Sequence, residues 1–510
     1  MAVDIPLAGA PVIAAAAFAV WRLVKFFQRT GPKFPGPKGY PFVGNLFDLP
    51  MEHEYYTFSK WGREYGDITS VTVLGQPMLI LNSPQAAVEM LDKKSSIYSD
   101  RPHLTMASDL VGWKNVLVLT PYGDRFKAYR RMMHRIIGTR AAMDQYNPIM
   151  EAETHKSLAR LLTAPQDFRA HLRKGIGAII LMISHGYKVQ GDDDEMVRIA
   201  DSATDQLNEI VSPGRFLVDQ LPLLRNVPEW VPGATFQKLA REWRTTLTEL
   251  TERSYRFVQD QLAKGTAVPS FTSHFIDGKT LTPQDEANIK WTAASLYSGG
   301  ADTPVSALSS FILALTMYPD ALKKAQAEID AVVGNDRIPG FEDRDRLPYI
   351  NATIKELLRW CPVTPLGAPH RLTQDDVHNG CFVPKGTIVM ANVWGFLHDP
   401  DVYPDPLVFS PDRFVSDGAR PLQRDPYEIC FGYGRRTCPG AHLAESFMYI
   451  FIVNIVSLFD IDKVVENGVV QEPKYEFTNG ALCHPAPFKC SIKPRSARAA
   501  ALLQAAAESR

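Results

Sequence analysis

The chain has 510 residues, 45 % of them hydrophobic and 22 % charged, and a net charge of −1. That composition excludes a disordered, collagenous or mostly membrane-embedded protein, and the lack of a basic excess argues against a nucleic-acid partner. The six cysteines (Cys361, Cys381, Cys430, Cys438, Cys483, Cys490) form no C-x-x-C pair. They are neither a zinc spacing nor a disulfide scaffold, so the catalytic region belongs in a reducing compartment.

In chain order, Ile5 to Trp21 carries no charge and is followed by Arg22, Lys25, Arg29, Lys33 and Lys38. An apolar run with its positive flank on the C-terminal side predicts one N-terminal transmembrane helix over residues 1–30, uncleaved, with the following chain in the cytosol. The Pro-rich stretch Gly31 to Pro41 cannot continue a helix and reads as a stiff spacer. Ile68 to Val73 alternates, Gly75-Gln76 turns and Met78 to Leu81 follows, which is a β-hairpin pattern. Phe216 to Trp230 is apolar but broken by prolines; it is either a buried loop or a lip that meets lipid.

Asn288 to Met317 is a long apolar run interrupted by Gly299-Gly300 and Pro304. Asp320 to Val333 is amphipathic with Gly334 as its C-cap. Asp399 to Asp425 reads as an irregular meander, and residues 447–459 as another apolar helix. Arg498 to Arg510 is Ala-rich without an obvious face, so residues 496–510 are expected to be a flexible tail. The fold class is mainly α with a small β part, and residues 31–495 form one large domain.

The strongest chemical signal is Phe431-Gly432-Tyr433-Gly434-Arg435-Arg436-Thr437-Cys438-Pro439-Gly440. Its glycines permit a tight loop with close backbone approach. Cys438 stands just before a helix expected to begin near Ala441, whose dipole and free amides favour a thiolate; Arg436 adds positive charge. A thiolate held this way is an axial ligand for iron. A lone cysteine is more often a small buried hydrophobe, and that reading suits the other five.

This stretch matches the F-G-x-G-x-R-x-C-x-G haem-binding signature of the cytochrome P450 family without a mismatch. The resemblance covers roughly residues 31–495 and is nearest to microsomal fungal members. It implies the cytochrome P450 fold, haem b as cofactor and Cys438 as axial iron ligand. Glu356 and Arg359 resemble the family's E-x-x-R pair, whose spacing puts both on one helix face. Arg413, in Phe409 to Phe414, then completes a buried charge cluster that needs backbone carbonyls as further acceptors.

Gly299 to Thr303 resembles the family's oxygen-binding groove, with Gly300 leaving room for dioxygen and Asp302 and Thr303 as the proton-handling pair. Pro304 departs from the usual Thr or Ser; it is expected to free the Gly300 carbonyl for a water and to alter coupling. Tyr122 to Arg131 resembles the W-x-x-x-R helix, with Phe126 in place of Trp and Arg130 still set to pair with a haem propionate. Arg101 and His370 fall at further propionate positions.

Lys127, Arg131 and Arg435 could offer a basic patch to an acidic electron donor, against the ordinary reading of a solvated charged face. Residues 104–118, Val363 to Gly367 and Phe477 to Leu482 are expected to line the pocket. They are mostly apolar without paired arginines, which favours a lipophilic substrate.

The function the resemblance implies is insertion of one oxygen atom of O2 into a lipophilic molecule, by hydroxylation or successive oxidation. Secondary metabolism, for example of terpenoids, is the expected setting. Electrons would come from a membrane-bound NADPH reductase at the endoplasmic reticulum, with lipid as a further contact. Two alternatives are a reductase-independent haem-thiolate isomerase or dehydratase, marked by NADPH independence, and a non-catalytic haem sensor, which needs no acid–Thr pair.

Overall fold

A computed structural model describes residues 32–508 except 192, 213, 417, 419 and 420. The expected anchor, residues 1–30, lies outside them. Strand β1 (Ile68–Val73) and strand β2 (Gln76–Leu81) pair antiparallel with Val73 opposite Gln76. Leu74 and Gly75 between them both have positive φ, 49° and 83°. A two-residue turn of this hand matches the twist of the strands it joins. β2 then pairs in parallel with a distant strand, Ile388–Ala391, which is antiparallel to His370–Arg371. With His370–Arg371 as β3 and Ile388–Ala391 as β4, the sheet order is β1-β2-β4-β3.

Helices make the rest. In chain order the ones that position the site are α1 (Asp124–Ile137), α2 (Asn147–Ala159), α3 (Phe168–His185), α4 (Glu195–Ile210), α5 (Thr235–Ala263), α6 (Pro283–Gly300), α7 (Asp302–Met317), α8 (Pro319–Val332), α9 (Pro348–Trp360), α10 (Ala441–Leu458) and α11 (Ala497–Glu508). α6 starts where its sequence says it should. Thr282 accepts from the Asp285 amide and Asp285 returns the bond, with Pro283 at the first helical position. α8 ends at Val332, and Gly334 takes φ 76° just beyond, where the chain must turn left-handed.

α7 and α10 are apolar all round, so they belong in the middle of the molecule. From Phe447 to Val456 every residue of α10 is buried, and α7 is buried from Pro304 to Thr316. α10 is also the one helix among the described residues long and apolar enough to cross a membrane. Its burial against α7, α8 and α9 marks it as a core helix.

The long central run is two helices. α6 stops at Gly300, Ala301 stands between, and α7 begins at Asp302. Pro304 therefore sits in the first turn of a new helix, not in a helix interior as the sequence suggested. Amides there have no intrahelical carbonyl in any case, so its missing N–H costs little.

The C-terminal segment also corrects its expectation. α11 is a helix rather than a flexible tail: Leu503 is fully buried and the helix packs on α2. Alanines let two backbones approach closely, and a single leucine is enough to seat them.

Candidate functional site

The 431–440 loop leads into α10 and places Cys438 three residues before it. Gly432 (φ 76°) and Gly434 (φ 55°) both take left-handed conformations. A Cβ on Gly434 would overlap the Leu91 carbonyl oxygen. The Cys438 amide donates to the Phe431 carbonyl at 2.7 Å, and the Phe431 ring stacks on Tyr427. Cys438 is the only exposed cysteine of the six.

Although the residue is exposed on one side, the chain packed around its sulfur desolvates it and pushes its thiol up, against the Gly440 N–H and the Arg130 charge, which favour thiolate. A coordinated metal would remove that obstacle by favouring the deprotonated sulfur. The cation acting on the sulfur is Arg130. Gly440 gives its N–H to the sulfur, and a Cβ there would meet only that sulfur, at 3.9 Å.

Four basic side chains line the adjoining wall. Arg101 donates to the carbonyls of Val118 (3.0 Å), Ala368 and Pro369 (both 2.7 Å). Arg436 donates to the carbonyls of Ser99 (2.7 Å), Thr120 (2.8 Å) and Leu117 (3.3 Å). Arg130, on α1, donates to the Thr437 carbonyl. His370 Nδ1 lies 2.7 Å from the Tyr98 carbonyl. Phe126, buried on α1, places its ring 3.9 Å below the Arg436 guanidinium. It holds that arginine by a cation–π contact where an indole would have offered an N–H.

The three arginines have no carboxylate hydrogen-bonded to them among the described residues; Asp100 acts on Arg101 and Arg436 through its charge alone. Burial, then Arg436, pulls Arg101 down to about 9. Burial pulls Arg436 to about 10 and His370 to about 3. Buried positive charge of this density is stable only with anions to meet it. Haem brings two carboxylates and an iron atom that takes a thiolate, and the residues present fit it on both counts.

At the break between α6 and α7 the two adjacent glycines have different surroundings. A Cβ on Gly300 would meet the Ile180 side chain at 2.7 Å, so Gly300 serves the contact between α6 and α3. Gly299 has nothing within 4 Å and faces open space. The Thr303 hydroxyl donates to the Gly299 carbonyl at 2.9 Å, bridging the helix break. Asp302 is buried, and its carboxylate binds Arg173 (3.2 Å), Asn208 (2.8 Å) and His484 (3.1 Å). None of those three partners stood out in the sequence.

Residues 104–118 are tied down on two sides. The Met106 amide donates to Asp219 at 2.8 Å and the Leu117 amide to Ser295 of α6 at 2.9 Å. Val363 accepts from the Cys483 amide at 2.9 Å, which brings the last turn beside the end of α9. Phe477 packs on Trp360 and Tyr475.

Behind the loop, Arg359 on α9 binds both oxygens of Glu356, at 2.7 and 2.8 Å, with both side chains fully buried. Arg413 Nε stands 3.4 Å from the same carboxylate. The spare guanidinium hydrogens go to carbonyls: Leu397 and Pro406 for Arg359, Pro404 and Asp405 for Arg413.

The sequence model of the family described as Cytochrome P450 matches residues 34–492. The chain belongs to the cytochrome P450 family. Cytochrome P450 monooxygenase 208 of Postia placenta is 49 % identical over 480 residues, 94 % of each chain. Cytochrome P450 monooxygenase claR of Ampulloclitocybe clavipes is 43 % identical, over 96 % of this chain and 92 % of that one. Cytochrome P450 monooxygenase CLM2 of Gibberella zeae is 42 % identical, over 92 % and 91 %. The protein is thus a P450 monooxygenase of the kind found in fungi, and the family implies haem, O2 and a small-molecule substrate.

Proposed function

We propose that this P450 oxidises a lipophilic small molecule of fungal secondary metabolism, at a membrane, with electrons from an NADPH reductase. The observation that carries the reading is Cys438, exposed at the mouth of α10 beside Arg101, Arg130, His370 and Arg436, none hydrogen-bonded to a carboxylate. Haem, when bound, supplies the oxygen-activating chemistry. Cys438 would hold its iron as thiolate, and Arg101, Arg130 and Arg436, with the neutral His370 imidazole, would take its carboxylates. Gly299 and Thr303 keep space open on α6 and α7, and Asp302, held as a carboxylate, passes protons through it. The segment 104–118, pinned to Asp219 and Ser295, excludes water from above.

Lys127 and Arg435 are exposed over the Tyr122 ring, at 5.7 and 5.2 Å, and Arg131 is exposed four residues after Lys127 on α1. A cationic face of this kind suits an acidic reductase. Membrane attachment draws on Phe42 and Met51, 95 % and 93 % exposed near the chain's beginning, and on Leu223 and Trp230, 83 % and 82 % exposed. The 216–230 segment forms two short helical turns with these side chains outward, which favours the lipid-facing lip over the buried loop. An N-terminal anchor in the endoplasmic reticulum, with the catalytic domain in the cytosol, completes this reading.

The test is the carbon monoxide difference spectrum of the reduced protein beside Cys438→Ala. The expected result is a red-shifted thiolate Soret band in the wild type that the variant lacks. A well-folded, haem-loaded wild type without that band would overturn the reading.

A further inference from the structure

Asp302 is held by three groups from three different segments: Arg173 of α3, Asn208 of α4 and His484 of the last turn. Arg169 and Arg173 reach it from α3; Asp201 and Asp205 of α4 face Arg173; Tyr297 of α6 donates to Asp201 at 3.0 Å. Three carboxylates thus stand near two guanidiniums, and the imidazole of His484 is the remaining side chain on Asp302 that can exchange a proton.

Only one of Asp302's partners can carry a proton in and out. Arginine keeps its protons in a protein, and an amide does not titrate. Imidazole does both near neutrality. The surroundings also grade from wet to dry: the His484 side chain is 20 % exposed and that of Asp302 only 3 %. The main chain that carries the ring is fixed, because the His484 amide donates to Thr478 Oγ1 (2.9 Å) and its carbonyl accepts from the Thr478 amide (2.7 Å).

We propose that His484 is a positioning residue that relays protons from water to Asp302; this rests on the monooxygenase reading and deepens it. The imidazole takes a proton from water at Nδ1 and gives its Nε2 proton to Asp302 Oδ2. The carboxylic acid so formed releases its proton on the Thr303 side and returns to carboxylate, while exchange with water restores the imidazole tautomer. One proton enters and one leaves per passage, and no electron moves. Burial opposes ionisation of Asp302, but His484 and then Arg173 outweigh it and hold the carboxyl below its usual range. The site therefore recharges to carboxylate after each passage.

The experiment uses the full haem-loaded chain with an NADPH reductase and 7-ethoxycoumarin as lipophilic probe. It reads peroxide released per NADPH consumed across the histidine range, about pH 5 to 8. In His484→Gln, which keeps a donor to Asp302 but cannot relay, that ratio is expected to rise about fivefold and lose its pH dependence. A purely structural histidine would be replaced by Gln without effect, so an unchanged ratio and profile overturn the relay. Should His484→Gln load no haem, Asp302→Asn with His484 intact gives the second reading: its profile must also flatten, and an unchanged one overturns the proposal. The wild-type carbon monoxide band and NADPH consumption are read first. Their absence would refute the monooxygenase reading itself, a failure distinct from that of the relay.

Discussion

Two groups of buried arginines lie in this molecule and are matched in opposite ways. Around Glu356, the carboxylate hydrogen-bonds Arg359 and pairs with Arg413 Nε at 3.4 Å, and backbone carbonyls take hydrogens from the terminal guanidinium nitrogens. Around Cys438, Arg101, Arg130 and Arg436 donate only to carbonyls, with the Phe126 ring under Arg436, and the Asp100 carboxylate nearby is hydrogen-bonded to none of them. The first cluster is complete within the chain and holds α9 to the 404–413 meander. The second is complete only with an anionic partner. Whether buried cations have a carboxylate of their own separates a structural cluster from a binding site here, although both are built from the same residue type.

Breaking the complete cluster should cost the most. Glu356→Gln leaves two guanidiniums without their carboxylate, and a loss of about 3–5 kcal/mol of folding stability is expected. Denaturant titration checks this, and a cost under 1 kcal/mol would make the cluster dispensable. Breaking the other cluster should spare the fold and affect cofactor retention instead. Arg130→Ala is expected to speed haem transfer to apomyoglobin on the order of tenfold to a hundredfold, from one lost charge-assisted bond. Equal retention with lowered thermal stability would reverse the distinction.

A gain-of-contact variant sharpens the comparison. Phe126→Trp restores an indole donor beside Arg436 and should slow haem transfer about fivefold, the worth of one hydrogen bond. Faster transfer would mean that the Phe126–Arg436 stacking matters more than the donor. The smallest effect is expected at Pro304→Thr, which lies outside both clusters in the first turn of α7. It should shift the share of electrons reaching product by about twofold, on the scale of a single ordered water's bonds. An unchanged product yield and peroxide release would remove any role for that proline.

The loop around Cys438, the E-x-x-R pair and the hairpin were legible because each is a local pattern, read within a few residues. The start of α10 near Ala441 followed from the same locality. What escaped depends on direction and distance. Gly299 and Gly300 are equivalent in the sequence; only the course of α6 up to its break at Ala301 decides which one faces α3 and which faces open space. Arg173, Asn208 and His484 converge on Asp302 from helices and a turn far apart in the chain, with no spacing to announce them. His484, two residues beyond the Phe477 to Leu482 stretch, carried no signal of its own in the sequence. The C-terminal helix was missed because an Ala-rich face is an interface only when another close-packed helix lies opposite.

The parallel pairing of β2 with β4 has a consequence for biosynthesis. The hairpin leaves the ribosome early, yet the strand that covers β2 is made only when Ile388–Ala391 emerges. At about 5–20 residues per second, the wait is on the order of 15–60 seconds. Through that interval Met78-Leu79-Ile80-Leu81 is an uncovered apolar edge on a nascent chain, the kind of segment that recruits other strands. Yield on overexpression should therefore depend on chaperone supply and translation speed, even for variants whose finished fold is untouched.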